Sequence, residues 1–269
     1  MIFANPIPAE MANGVFYNEL QTPFYLSPEK LESDYASVRF ERELRLFRRF
    51  CKRGSVLDVG CSTGAFLFQL KNHFPHEYDV TGTDISRPAL EYAKSRGVEI
   101  LGTSFLDSDF GEKRFDAITF WAVMEHLINP KQFLEKTASL LTSGAHCFIL
   151  VPNIKSLAVR ILGAKYRYIL PQHVNYFDLQ TLKKFAQIHP WLEIVASGAI
   201  HFNPLVILQD FFGHGEFISD KNRAALLKRT TAYKKNPLLK PVKWAYDRVE
   251  QILGDLGLAD NLFIVLRRK

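Results

Sequence analysis

The stretch Val56-Leu57-Asp58-Val59-Gly60-Cys61-Ser62-Thr63-Gly64-Ala65-Phe66-Leu67 constrains this 269-residue chain more than any other. It opens as a short apolar strand, turns through two glycines and continues as an amphipathic helix. Glycine lets the backbone approach a ligand where a Cβ would clash, and the following helix N-terminus presents unpaired N–H groups to it. A dinucleotide fingerprint would need Gly-x-Gly-x-x-Gly. Counting from Gly60, Ser62 and Ala65 stand at the second and third glycine positions, so that reading fails. What remains is an acidic strand residue followed by Gly-x-x-x-Gly.

Around this turn, short apolar runs alternate with helical patterns. Strands are predicted at 55–59, 78–83, 98–101, 115–121, 145–151 and 192–199, with a last one at 261–266. Helices are predicted from the turn through Phe74, from Ser86 to before Gly97, over 130–141 with Gly144 closing it, over 155–162 and over 179–188. Strands alternating with helices imply right-handed crossovers and a doubly wound, mostly parallel α/β sheet, with ligands at the carboxyl ends of the strands. Ahead of the sheet, residues 1–26 are punctuated by Pro and Asn and read as an extended arm or lid. Ser27-Pro28-Glu29 is a helix start, and spacing carries that helix to Phe50 with Arg39, Arg42, Arg45, Arg48 and Arg49 on a solvated face. Residues 201–258 read as a helical insert with Phe211, Phe212, Phe217 and Trp244 on apolar faces. The domain division expected is therefore an N-terminal arm and helix over 1–50, a core of 51–200 plus 259–269, and the insert over 201–258 as a substrate cap.

Composition excludes several classes. Three cysteines without metal or redox spacing make a reducing, cytoplasmic setting the default and give no expectation of a bound metal. No basic-then-apolar leader opens the chain, and no apolar run reaches the roughly 18 residues of a membrane-spanning helix. The net charge of +6 gathers in the C-terminal third without forming a long run. The basic insert leaves contact with an anionic membrane surface or with nucleic acid open, but no aromatic-studded strand platform accompanies it, which disfavours nucleic acid.

Four motifs then occur in order. Asp58-Val-Gly-Cys-Ser-Thr-Gly is followed by Gly82-Thr83-Asp84-Ile85-Ser86, by Phe115-Asp116-Ala117-Ile118-Thr119-Phe120-Trp121-Ala122-Val123-Met124-Glu125-His126-Leu127, and by Phe148-Ile149-Leu150-Val151-Pro152-Asn153. Pro171-Gln172-His173-Val174-Asn175-Tyr176-Phe177 extends the series. The set resembles class I S-adenosylmethionine-dependent methyltransferases of the type 23 branch, which includes ubiquinone-biosynthesis-like and polysaccharide-cluster enzymes; the likeness covers 55–200 and the final strand. Ser62 stands where the family usually has a glycine. The resemblance implies a Rossmann-like sheet of seven strands, the last antiparallel, and S-adenosylmethionine as cofactor, with S-adenosylhomocysteine (SAH) as its product.

Carried over position by position, Gly60, Cys61, Ser62 and Gly64 would form the cofactor loop. Asp58 would hold the methionine ammonium and Asp84 the ribose hydroxyls. Ile85 would pack on the adenine, with Thr103, Ser104 and Phe105 lining its other side. Trp121 and Ala122 would flank the methionine. The family commonly has an acid beside the adenine amine; here only Asp107 is near. If the acceptor is a hydroxyl, a base must take its proton, and histidine suits neutral pH. His126, just past the fourth strand, and His173, in a loop expected to cross the substrate mouth, are the candidates, and Glu125 reads as a structural carboxylate bonding loop N–H groups. The expected acceptor is a small molecule: a hydroxyl of a sugar, glycan or lipid-linked intermediate, or alternatively a quinone-type aromatic oxygen.

Overall fold

The computed structural model describes residues 2–4, 6–7, 16–166, 168–212, 220–235 and 240–269. Strand β1 (Ile2–Phe3) leads to a π-helical turn at Phe16–Leu20 and to helices α1 (Thr22–Tyr25), α2 (Pro28–Asp34) and α3 (Glu41–Phe50). The central alternation is β2 (Gly54–Val59), α4 (Ala65–His73), β3 (Tyr78–Thr83), α5 (Arg87–Ser95), β4 (Glu99–Gly102), β5 (Phe115–Trp121), α6 (Pro130–Leu140) and β6 (Leu141–Pro152). Then come α7 (Leu157–Leu162), β7 (Asn175–Tyr176), α8 (Leu179–Ala186) and β8 (Leu192–Ile200). Helices α9 (Pro204–Phe212), α10 (Asp220–Lys235) and α11 (Lys240–Asp255) precede the final strand β9 (Asn261–Arg268).

Seven strands form one sheet in the order β4-β3-β2-β5-β6-β9-β8, and β9 runs antiparallel to both of its neighbours. The order reverses between β2 and β5, which makes their carboxyl ends the switch point where such sheets bind ligands. Alternation along the strands explains why the sheet is buried on both sides. Leu57, Ile118, Ile149 and Ile264 enter one core, while Val56, Ala117, Phe148 and Val265 enter the other. The first core is covered by α6 and α8, and the second by α3, α4 and α5.

Several sequence expectations are corrected. The helix expected over 27–50 is two helices, because the carbonyl of Tyr35 accepts from the Gln69 side-chain amide (2.7 Å) instead of continuing the helical ladder. Its arginine row is largely a set of tertiary ties: Arg42 pairs with Asp247 and Glu250 (2.8 Å each), Arg48 with Glu77 and Arg39 with Asp34, leaving Arg45 and Arg49 exposed. Gly144 does not close α6; the chain passes directly into β6, and Gly144 lies within that strand. The described part of the arm is mostly helical turns rather than extended. Phe211, Phe212 and Trp244 are exposed rather than packed, since α9 buries Val206, Ile207 and Asp210 instead. Phe217 lies outside the described residues. Among the described residues, no helix is long and apolar enough to cross a membrane.

Candidate functional site

A cavity of about 1180 Å³ opens over the switch point. It is larger than the roughly 300–1,000 Å³ that houses one small ligand, and it is lined by the β2, β3 and β5 ends, the helices before the sheet and the insert. Local sequence dictates the loop at its floor. Gly60 has φ +73, and a Cβ there would stand 2.5 Å from Val123 Cγ2. Ser62 adopts φ +50 although it is not glycine, a left-handed conformation that L-residues hold only where the surroundings enforce it. The enforcing contact is its N–H, which donates to Asp84 Oδ2 (2.7 Å), while the Ser86 N–H donates to Oδ1 (2.8 Å). Asp84 is thus pinned at the end of β3, and burial raises its pKa.

Asp58 on β2, whose register partner Gly82 lies two residues before Asp84, is 3% exposed and accepts from the Thr119 hydroxyl (2.6 Å), its neighbour across the β2–β5 ladder. Burial pushes its carboxyl up to about 7, against the opposing effect of the Thr119 hydrogen bond. A carboxylate held this way is an incomplete ion pair that a cationic ligand group would complete.

Gly60, Cys61, Ser62, Asp84, Ile85, Thr103, Ser104, Phe105, Trp121 and Ala122 all face the cavity. Gly64 instead packs beneath it: its Cβ would meet Ala93 at 2.9 Å. Phe105 belongs mainly to the core, stacked on Phe133. Asp107 is taken up by the Ser104 hydroxyl (2.7 Å) and does not form part of the cavity wall. Trp121 packs on Phe66, and its buried Nε1 has no partner. Ala122 has φ +59, a second strained non-glycine at the cavity wall.

The fold brings His126 and His173 together, with ring centroids 4.7 Å apart. Each tautomer follows from its neighbours. His126 Nδ1 lies 3.0 Å from the Gln172 carbonyl, which can only accept, so Nδ1 carries the proton. The Tyr17 oxygen shares that proton at 2.9 Å. His173 Nδ1 likewise donates to the Tyr168 carbonyl (2.8 Å). Both rings therefore carry their lone pair on Nε2. Burial lowers the His126 pKa to about 4 and raises that of Glu125 to about 8. The Glu125 carboxyl takes a hydrogen bond from its own backbone N–H, its Oε2 has no partner, and its Oε1 lies 3.9 Å from His126 Nε2.

Ligand atoms of Glu125, His126 and His173 all fall within 4.8 Å of one another. Two neutral imidazoles and a carboxylate are the donor set of a divalent transition metal. Sequence spacing hid this grouping, because His173 lies 47 positions beyond His126. Tyr17 was equally hidden, being one of several scattered aromatics in the arm.

A profile of the methyltransferase domain family matches residues 33–188. Among characterised relatives, the ubiquinone biosynthesis O-methyltransferase of Alkalilimnicola ehrlichii is 30% identical over 167 residues, covering 56% of this chain and 65% of that protein. The enzyme of the same name from Coxiella burnetii is 27% identical over 164 residues, covering 56% of this chain and 68% of that protein. The chain thus aligns with about two thirds or less of the length of these first relatives. A solved S-adenosylmethionine-dependent methyltransferase from Thermotoga maritima, described as a possible histamine N-methyltransferase, superposes with a TM-score of 0.59 at 15% identity, over 91% of this chain and 98% of that one. The plantazolicin methyltransferase BpumL, solved with SAH, superposes with a TM-score of 0.54 at 16% identity, over 97% of this chain and 98% of that one.

Proposed function

The chain belongs to the methyltransferase domain family, and from that premise we propose that it transfers the methyl group of S-adenosylmethionine to a hydroxyl of a small-molecule acceptor. The observation that carries this reading is the single cavity running from the Gly60–Gly64 loop past Asp84 and Asp58 to the paired histidines. Its walls suit the cofactor: a floor where any Cβ at Gly60 would clash, an under-compensated carboxylate at Asp58 for an ammonium, and Asp84 fixed by two N–H groups for the ribose. When bound there, the cofactor supplies an electrophilic methyl on a sulfonium. The protein's own part is alignment, exclusion of water and proton management.

The α2–α3 segment and the insert close the acceptor side. Arg42 on α3 holds Asp247 and Glu250 of α11, Lys228 on α10 pairs with Glu32 of α2 (2.8 Å), and Ser33 meets Thr231 (2.9 Å). These helices act as the cap over the acceptor. His126, with its lone pair on Nε2, and His173 packed against it are the bases we assign to the proton of an incoming hydroxyl. Glu125 beside His126 supports a second reading of the same cluster, in which a divalent cation there polarises that hydroxyl. Modification of nucleic acid fits less well, since Lys228 and Lys243 are engaged by Glu32 and Glu41 rather than set along a phosphate track.

The test is transfer of labelled methyl from S-adenosylmethionine into polar small-molecule, lipid, protein and nucleic-acid fractions. Label entering a small molecule as a base-stable methyl ether, and lost with His126→Ala or His173→Ala, supports the reading. Label in protein or nucleic acid overturns it.

A further inference from the structure

Helix α11 carries an apolar face that the fold does not use. Its inward face is set by Tyr246, Glu250, Leu253 and Gly254. The Tyr246 hydroxyl donates to the Phe202 carbonyl, and buried Glu250 pairs with Arg42. Leu253 packs at the edge of the first core, and a Cβ at Gly254 would stand 2.7 Å from the Ala199 carbonyl oxygen. The unused face is Ala245, Val249, Ile252 and Leu256, all exposed, the last three by 48%, 58% and 65%. Leu256 still belongs to the last turn, since its N–H donates to the Ile252 carbonyl (3.0 Å). Steps of four, three and four residues are the alternating a and d positions of a heptad, the seam through which one helix packs on another. Singly scattered apolar side chains on a surface need no explanation, whereas a row in register does.

Charge borders this row and selects what fits on it. Arg248 and Asp255 flank its outer side, occupy the same heptad position and are exposed. Arg248 lies over the Trp244 ring and donates to Gln251 Oε1 (3.2 Å). Among the described residues neither Arg248 nor Asp255 has an ion-pair partner. One cation and one anion make a border of no net charge, which an anionic bilayer would not select. The same pair is self-complementary about a two-fold axis. In an antiparallel pair of α11 helices, Val249 of one copy meets Ile252 of the other and Ala245 meets Leu256, while Arg248 comes alongside Asp255. Each contact occurs twice. A parallel pair would set Arg248 against Leu253 of the second copy, which is committed to its own core. The row lies about 120° around the helix from the inward face, so two bodies joined along it stay clear of one another.

We propose that this face is a self-association surface: the chain forms a two-fold dimer whose α11 helices pack antiparallel. The seam is confined to one 16-residue helix and its last turn, so the dimer is weak, with a Kd of about 1–100 µM. Tyr246, Asp247 and Glu250 of the same helix line the cavity. The second copy therefore braces the wall of that cavity on the insert side.

The test is sedimentation velocity of the full chain from about 1 to about 200 µM. The expected result is a sedimentation coefficient that climbs from monomer toward dimer across this range. Ile252→Glu, which sets like charges at the centre of the seam, should raise the dimer Kd about tenfold or more. Arg248→Glu and Asp255→Arg should each raise it about fivefold or more, and the two together, which swap the charges of the pair, should return it to within about twofold of wild type. All of these side chains are exposed and lie outside the cavity wall, so thermal unfolding should be unchanged; if Ile252→Glu fails to fold, the charge pair carries the comparison. A chain that stays monomeric to about 200 µM, a dimer that folded Ile252→Glu leaves intact, or single charge reversals without effect would each overturn the proposal. A double reversal that fails to restore the dimer would overturn its antiparallel register. Pelleting of a monomeric wild type with phosphatidylcholine and phosphatidylglycerol vesicles, lost with Ile252→Glu, would overturn it in favour of a bilayer.

Discussion

Asp58 should act as a receptor that the fold holds at a cost until the cofactor arrives. Its carboxyl is pushed from 3.8 to about 7 by burial. A shift of about 3 units corresponds to about 4 kcal/mol between the two protonation states. The folded pKa lies above the unfolded one, so the protonated form favours folding. Below pH 4 the group has no effect; stability is lost as pH rises from about 4 to about 7, and the whole penalty persists above that. Asp58→Asn keeps an oxygen to accept from Thr119 and carries no charge. The apo variant should therefore be more stable than wild type by about 2–4 kcal/mol near pH 8, and by only about 1 kcal/mol near pH 5. Thermal unfolding at the two pH values reads this directly, as a rise of several degrees at the higher one. SAH should bind the variant about tenfold or more weakly, a loss of at least about 1.4 kcal/mol. In wild type, binding below pH 7 should release a proton, detectable by calorimetry in buffers of different ionisation enthalpy, and the variant should release none from this site. A variant no more stable than wild type near pH 8 and unchanged in SAH affinity would refute the reasoning.

Other parts of the account predict separable outcomes. Gly60→Ala forces a side chain to φ +73 and onto Val123; it should lower stability by more than about 1 kcal/mol and weaken SAH binding, with partial recovery in combination with Val123→Ala. Arg42→Met leaves Glu250, 3% exposed, without its cation; unfolding experiments should show a loss of about 2–4 kcal/mol, smaller if Glu250→Gln is added. If the Glu125–His126–His173 cluster holds a metal, calorimetric titration with zinc or manganese should give one site per chain that both His126→Ala and His173→Ala abolish, and heat unchanged by these substitutions would exclude it.

The sheet was legible because its strands leave a signature on both faces: Val56 beside Leu57, Ala117 beside Ile118 and Phe148 beside Ile149 are apolar in either direction, and only a doubly covered sheet buries such runs. The glycine turn after β2 was legible because glycine is forced where Val123 approaches, and Ser62 at φ +50 shows the same backbone demand met by another residue. The break after Asp34 was not, since Tyr35 to Phe40 contain neither Gly nor Pro and the cause is the distant Gln69. The exposed Phe211 and Phe212 were misread because α9 is apolar nearly all round, so sequence gives no face to prefer.

The most direct test of the central claim, one cavity built around a pinned Asp84, is calorimetric titration of wild type and Asp84→Ala with SAH. The account predicts micromolar binding by wild type and a loss of about tenfold or more, about 1.4 kcal/mol, on substitution. Absence of binding by wild type, or equal binding by the variant, would contradict it.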